Sequence, residues 1–222
     1  ITHNEQTETF DGVVWPVNLT QLSGRSFSNA SILWNLPSQL KSLNLDVQAK
    51  QSRHDFLDKV GGMFHCALLP RTLTNITISG LYSRQFKIVP DNLPPNLHTA
   101  NFDMDFALAS DLAHTFPRTL TSLSGVDKLL QYMTGGLTYR DLVPNLKALH
   151  YAAGPNLLDV APENLTSIYT SDGGSVHWDL RKMPRTVTNL ALRFQASQLE
   201  FLPPGLTSLN FFETPYKFSV AD

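Results

Sequence analysis

A single cysteine, Cys66, occurs in 222 residues, so no disulfide can form within the chain. The cysteine frameworks that staple small secreted domains are therefore excluded. Charge is also scarce. Asp, Glu, Lys and Arg make up 16% of the chain and the net charge is -2. That gives no basic surface for nucleic acid or for an anionic membrane. No apolar run approaches the roughly 18 residues that a membrane-spanning helix needs, so membrane insertion is not expected. Phosphate loops, dinucleotide fingerprints and zinc-protease helix motifs are missing. The chain opens on Ile1 without a signal-peptide pattern, as expected of a processed or excised chain.

What is present is repetition. "LPRTLTNITI" at 69–78 returns as "FPRTLTSLSG" at 116–125, "MPRTVTNLAL" at 183–192 and "LPPGLTSLNF" at 202–211. The shared pattern is apolar-Pro-x-x-Leu-x-x-Leu-x-apolar. Nine copies can be aligned, with prolines at 16, 37, 70, 94, 117, 144, 162, 184 and 203, which uses nine of the 14 prolines for one purpose. The sixth copy, "VPNLKALHY", is one residue short after its proline. Spacings near 20–25 residues mark a solenoid, in which each unit buries its apolar edge only against its neighbours. Leu-x-x-Leu-x-apolar turns three side chains inward from a turn and a short strand. The residues between them face outward, because side chains alternate along a strand. Proline suits the extended entry to such a strand, where no ladder bond is lost.

These copies resemble the leucine-rich-repeat family, Leu-x-x-Leu-x-Leu. The "LPxxLTSL" form is similar to the proline-containing repeats of bacterial effectors and of some protist proteins. The resemblance covers about residues 15–212. It implies an α/β repeat solenoid: a right-handed superhelix with a concave parallel β-sheet, about nine irregular coils, and short helices or extended segments on the convex side. Residues 1–14 are expected to cap the first coil, and 213–222 to form a tail or partial cap. The family's asparagine after the last strand anchor is replaced here by Gln48, Leu81, Asp105, Gly154, Gly173, Gln195 and Thr214, which predicts an irregular coil. The bacterial effectors carry a separate catalytic cysteine domain. No second domain fits in this chain, so that activity is not implied.

Between the copies, Ser52 and Asp55 resemble a capping box, and Phe56, Leu57, Val60 and Phe64 share a helical face. Val126, Leu129, Leu130 and Met133 form a second helical stripe closed by Gly135-Gly136. "SQLEFL" is too short for more than one turn.

Candidate chemistry is sparse. Cys66 sits in the apolar run "CALL" and reads as a buried structural thiol beside His65. Gly173-Gly174-Ser175-Val176-His177 lacks the final glycine of a nucleophile elbow and reads as a turn. Asp103, Asp105 and Asp111 lack the glycine and glutamate of a calcium loop and read as a solvated edge. No catalytic residue, metal site or cofactor is expected.

What remains is a surface. The outward column between the last two anchors reads Ser23, Asn44, Thr77, Asn101, Ser124, His150, Tyr169, Ala191 and Asn210. On this small-polar carpet, Tyr169, Arg193, His150, Asn101, Asp103 and Asp46 are the candidate contacts for a protein partner. Tyr169 and Arg193 lead, since hot spots favour aromatics and arginine. The expectation is a monomeric, non-catalytic scaffold. The alternative is a structural or cell-surface repeat protein, or a glycan-binding module that uses the Ser/Thr/Asn ladders. The lone cysteine allows a cytoplasmic protein. The sequons at Asn18, Asn29, Asn75 and Asn164 allow a secreted or surface one.

Overall fold

A computed structural model describes residues 13–27, 36–47, 63–79, 87–89, 93–102, 105–106, 116–125, 139–151, 158, 161–170, 178–192 and 196–211. The expected caps at 1–14 and 213–222 fall outside these, apart from Val13 and Val14. So do the helical stripe at 126–133, the Gly173–His177 turn, and residues 56, 57 and 60 of the first helical face.

Each copy of the repeat supplies one strand. They are β1 (Gln21–Phe27), β2 (Ser42–Val47), β4 (Asn75–Ser79), β6 (Thr99–Phe102), β8 (Ser122–Ser124), β9 (Ala148–Tyr151), β10 (Ser167–Thr170), β11 (Asn189–Leu192) and β12 (Ser208–Phe211). These nine form one parallel sheet in chain order. Register follows the sequence alignment through the middle anchor at every junction, and β1 shifts against β2 only beyond it, between Gly24 and Phe27. The middle anchors Leu22, Leu43, Ile76, Ala100, Leu123, Leu149, Ile168, Leu190 and Leu209 are successive Cα partners. A one-residue slip anywhere would have turned an inner leucine outward.

Inward anchors from all copies fuse into a single core. Volume is compensated inside it. Where the middle anchor shrinks to Ala100, the next inward position grows to Phe102, among the largest fully buried side chains. Cys66 is buried in this core, as its apolar neighbours suggest.

The corner before each strand is a four-residue turn. The amide of the first anchor donates to the carbonyl three residues back: Leu19 to Pro16, Leu40 to Pro37, Leu73 to Pro70, Leu97 to Pro94, Leu120 to Pro117, Leu165 to Pro162, Val187 to Pro184 and Leu206 to Pro203, at 3.0–3.3 Å. The short sixth copy keeps the turn by shifting its proline. Leu146 donates to Val143, so Pro144 occupies the second turn position, where its fixed φ also fits. Turn length, and not proline position, is the invariant.

A second sheet runs between the copies. It contains β3 (Met63–His65), β5 (Lys87–Val89) and β7 (Asp105–Phe106), all parallel. Phe64 therefore lies in a strand, which corrects its assignment to a helical face. Gly61-Gly62 precedes it, and glycine weakens a helix. Its partner segment, Lys87-Ile88-Val89, is rich in β-branched residues that favour strands. Other connections are short helical pieces: 3₁₀ turns at Cys66–Leu68 and Leu180–Lys182, a single α-turn at Tyr139–Leu142, and a 3₁₀ helix at Ala196–Phe201. The last has six residues, two turns at three per turn where the sequence suggests one.

Candidate functional site

Two ladders of threonine hydrogen bonds hold the coils together, and they determine which polar residues remain for a partner. The first ladder runs along the residue after the first anchor. In every copy after the first its amide and the next one both donate to the equivalent carbonyl of the preceding copy. Thr74 and Asn75 donate to Lys41, and Thr207 and Ser208 to Thr188, for example, within a set spanning 2.7–3.1 Å. Where that residue is threonine, its hydroxyl also reaches the same carbonyl: Thr74 to Lys41, Thr121 to His98, Thr166 to Lys147, Thr188 to Thr166 and Thr207 to Thr188, at 3.0–3.3 Å.

The second ladder starts from the third turn residue. Thr72 Oγ1 lies 2.8 and 2.7 Å from the carbonyls of Ser38 and Leu40. Thr119 Oγ1 lies 2.8 Å from those of Pro95 and Leu97, and Thr186 Oγ1 2.6 and 2.8 Å from those of Glu163 and Leu165. Asn145 Nδ2 takes the same position in the short copy and donates to Arg118 O at 2.8 Å. These bonds explain the recurrent Arg-Thr-Leu-Thr. Both threonines reach back to the previous coil, and backbone carbonyls there would otherwise need water. Sequence reasoning missed this role. The signal was present, since Thr or Asn recurs at the third turn position in most copies.

The open face of the sheet includes the column between the last two anchors. Ser124, His150, Tyr169 and Ala191 are successive partners on β8, β9, β10 and β11. His150 and Tyr169 stack, with ring centroids 4.5 Å apart and an interplanar angle of 17°. Tyr169 is 36% exposed, a large side chain on a face of small ones. Partial burial depresses the His150 pKa below its usual value, so the neutral imidazole is favoured in the stack. A neutral ring against Tyr169 is a rigid, amphipathic shelf with polar edges on both sides.

The remaining candidates are spread out. Asn101, on β6, shares the face and pairs with Ser124, which in turn pairs with His150. Two strand spacings put it about 10 Å from the stack. Asp46, near the end of β2, points to the same side two residues beyond Asn44. Four spacings separate it from β9, about 19 Å, so it does not join the shelf. Arg193 and Asp103 lie outside the described residues. At the rim of the neighbouring coils, Arg140 and Glu163 form an exposed ion pair at 3.1 Å, worth about 0–1 kcal/mol. Asp179 caps the 3₁₀ turn at 180–182. The Arg181 guanidinium hydrogen-bonded to it holds its carboxyl below the usual range.

Nine copies of Leu-x-x-Leu-x-apolar, each giving one strand to a parallel sheet in chain order and in register, decide the architecture. The chain is a leucine-rich-repeat-like solenoid. No family model matches it, and no curated protein does. Among solved structures it is similar to CroV588, described as a novel circular LRR protein, with 20% identity and a TM-score of 0.46. The likeness covers 94% of this chain and 35% of that one, so the solenoid spans about a third of that protein's length. Among the described residues no helix is long and apolar enough to cross a membrane.

Proposed function

We propose that this solenoid is a non-catalytic scaffold that binds a protein partner on the open face of its sheet, anchored on the His150–Tyr169 stack. The observation that carries this reading is the stack itself, two aromatic rings held near-parallel at 4.5 Å in a column otherwise made of Ser, Thr, Asn and Ala. A pre-ordered tyrosine offers contact area at little further entropic cost, and small polar neighbours exclude water around it without competing for the same contact. Arg193 and Asp103, one residue beyond the last anchors of β11 and β6, are proposed as rim contacts.

A structural reading also has an observation in its favour. The threonine ladders are consumed in bonds between coils, as a coat or spacer protein would need. Affinity capture separates the two. Under the scaffold reading, the purified parent chain recovers one protein from its native extract, and Tyr169→Ala and His150→Ala recover at least tenfold less while keeping the parent's circular dichroism. Equal recovery by all three chains would sink the stack as the anchor. Recovery of nothing by any, with retention on a glycan array, would transfer the face to the carbohydrate alternative.

A further inference from the structure

All strands of the large sheet are parallel, so they are entered from one side, and charge is unevenly placed along that side. The entry segment of each copy runs from the residue before the proline to the residue after the first anchor. In copies two to six these segments read "LPSQLK" (36–41), "LPRTLT" (69–74), "LPPNLH" (93–98), "FPRTLT" (116–121) and "VPNLK" (143–147). Each carries one basic side chain and no acid: Lys41, Arg71, His98, Arg118 and Lys147. The first copy, "WPVNLT", is uncharged there, and the seventh, "APENLT", holds Glu163. A net charge of -2 over the whole chain hides this row.

The five copies are neighbours in the sheet, in the order β2, β4, β6, β8 and β9. Four strand spacings make the row about 19 Å long. Its members alternate between two positions, the residue after the first anchor in copies two, four and six and the residue after the proline in copies three and five. Hydrogen bonds show that these positions adjoin. His98 Nδ1 donates to Thr119 O at 3.0 Å, beside Arg118, and Arg71 Nη1 donates to Leu93 O of the next copy at 3.3 Å. All five side chains are exposed. Lys41, Arg118 and Lys147 form no ion pair with any described residue. The acids among the described residues of these copies are Asp46, at the far end of β2, Asp105, in β7 of the second sheet, and Asp141, on the helical turn before the sixth copy.

We propose that this edge docks an acidic, extended segment of a protein partner, a run of Asp and Glu laid across copies two to six. Like charges held on adjacent coils repel one another, and a line of carboxylates replaces that repulsion with attraction at each coil. About six residues of extended chain match the length of the row. Single-stranded nucleic acid would also bring negative charge, but its bases need aromatic side chains to stack on. Among the described residues of these copies no exposed aromatic of that size is present. The proposal takes the chain to be a protein-binding scaffold, but it does not depend on the His150–Tyr169 stack.

Fluorescence anisotropy of a labelled Glu-Ser repeat peptide, beside its Gln-Ser counterpart, tests it on the full chain. At low ionic strength the acidic peptide should bind at least tenfold more tightly than the neutral one, and about 0.5 M salt should remove the difference by screening. Arg118 and Arg185 follow the proline in identical Pro-Arg-Thr segments, but Arg118 lies inside the row and Arg185 lies beyond it, in the copy after Glu163. Arg118→Glu should weaken the acidic peptide at least fivefold and Arg185→Glu less than twofold, although both change the net charge equally. Both side chains are exposed, so both variants should fold, as circular dichroism would verify. Tyr169→Ala should leave the peptide's affinity unchanged, which separates failure of this edge from failure of the stack. Equal binding of the acidic and neutral peptides would overturn the proposal. So would equal weakening by the two arginine reversals, since overall charge and not the row would then be responsible. Tighter binding of an oligothymidylate of matched charge would overturn the acidic segment as occupant and assign the edge to nucleic acid.

Discussion

Thr119 shows how much of the repeated phrase is about neighbours. Its hydroxyl sits 2.8 Å from two carbonyls of the preceding coil, so one side chain ties two consecutive turns. Thr119→Val keeps the shape and removes the bonds. It should cost about 1 kcal/mol, the net worth of an intramolecular hydrogen bond, seen as a small downward shift in the midpoint of urea unfolding. The last copy carries the converse test. Gly205 holds the position that Thr186 holds one coil earlier, and a Cβ there meets nothing within 4 Å. Gly205→Thr would place a hydroxyl over the Arg185 and Val187 carbonyls and remove backbone freedom from the unfolded chain. It should raise stability by roughly 0.5–1.5 kcal/mol. His150 adds a pH dependence. Its pKa is depressed in the folded chain, so the unfolded chain binds the proton more readily. The contribution is complete above the unfolded value near 6.5 and is lost as pH falls from there through the folded value. Thermal unfolding of His150→Gln beside the parent should show a shallower decline over that window. Partial exposure keeps the difference small.

At the scale of the element, each strand depends on its inward leucines more than on its own propensity. Leu120 is fully buried as the first anchor of its copy. Leu120→Ala should destabilise the chain by about 2–5 kcal/mol through the cavity it leaves, read from denaturant unfolding. The inner and outer columns of the strands in the large sheet were legible in the sequence, because two apolar anchors three residues apart recur in all nine copies and fix the phase. Placing His150 beside Tyr169 was legible for the same reason, since both occupy one column in consecutive copies. Their stacking was not, as a sequence does not carry rotamers. The short sheet of β3, β5 and β7 was illegible for a different cause. Its strands are two or three residues long, too brief for any period to register. Phe64 fits a helical spacing with Phe56 and Val60 as well as it fits a strand, and Gly61-Gly62 together with pairing to β5 decides for the strand. The lost asparagine ladder predicts irregular coils. Threonines at the strand entry and turn instead provide the bonds between coils, at positions the family pattern does not mark.

The whole molecule follows from one rule applied nine times, a turn of fixed length leading into an inward-anchored strand, backed in five of the copies by a threonine bond to the coil before. Its consequences are a continuous core and a polar open face with one aromatic shelf. Both rest on the register between strands. Engineered cysteines on the open face read that register directly, since the natural Cys66 is buried. Asn101→Cys with Ser124→Cys places thiols on partner residues of β6 and β8, about 5 Å apart at Cα and within disulfide range. Asn101→Cys with His150→Cys spans two strand spacings, about 10 Å, which is too far. Mild oxidation followed by mass spectrometry of proteolytic fragments should find the 101–124 crosslink formed and the 101–150 crosslink absent. A 101–150 crosslink, or none between 101 and 124, would contradict the in-register stacking on which the account depends.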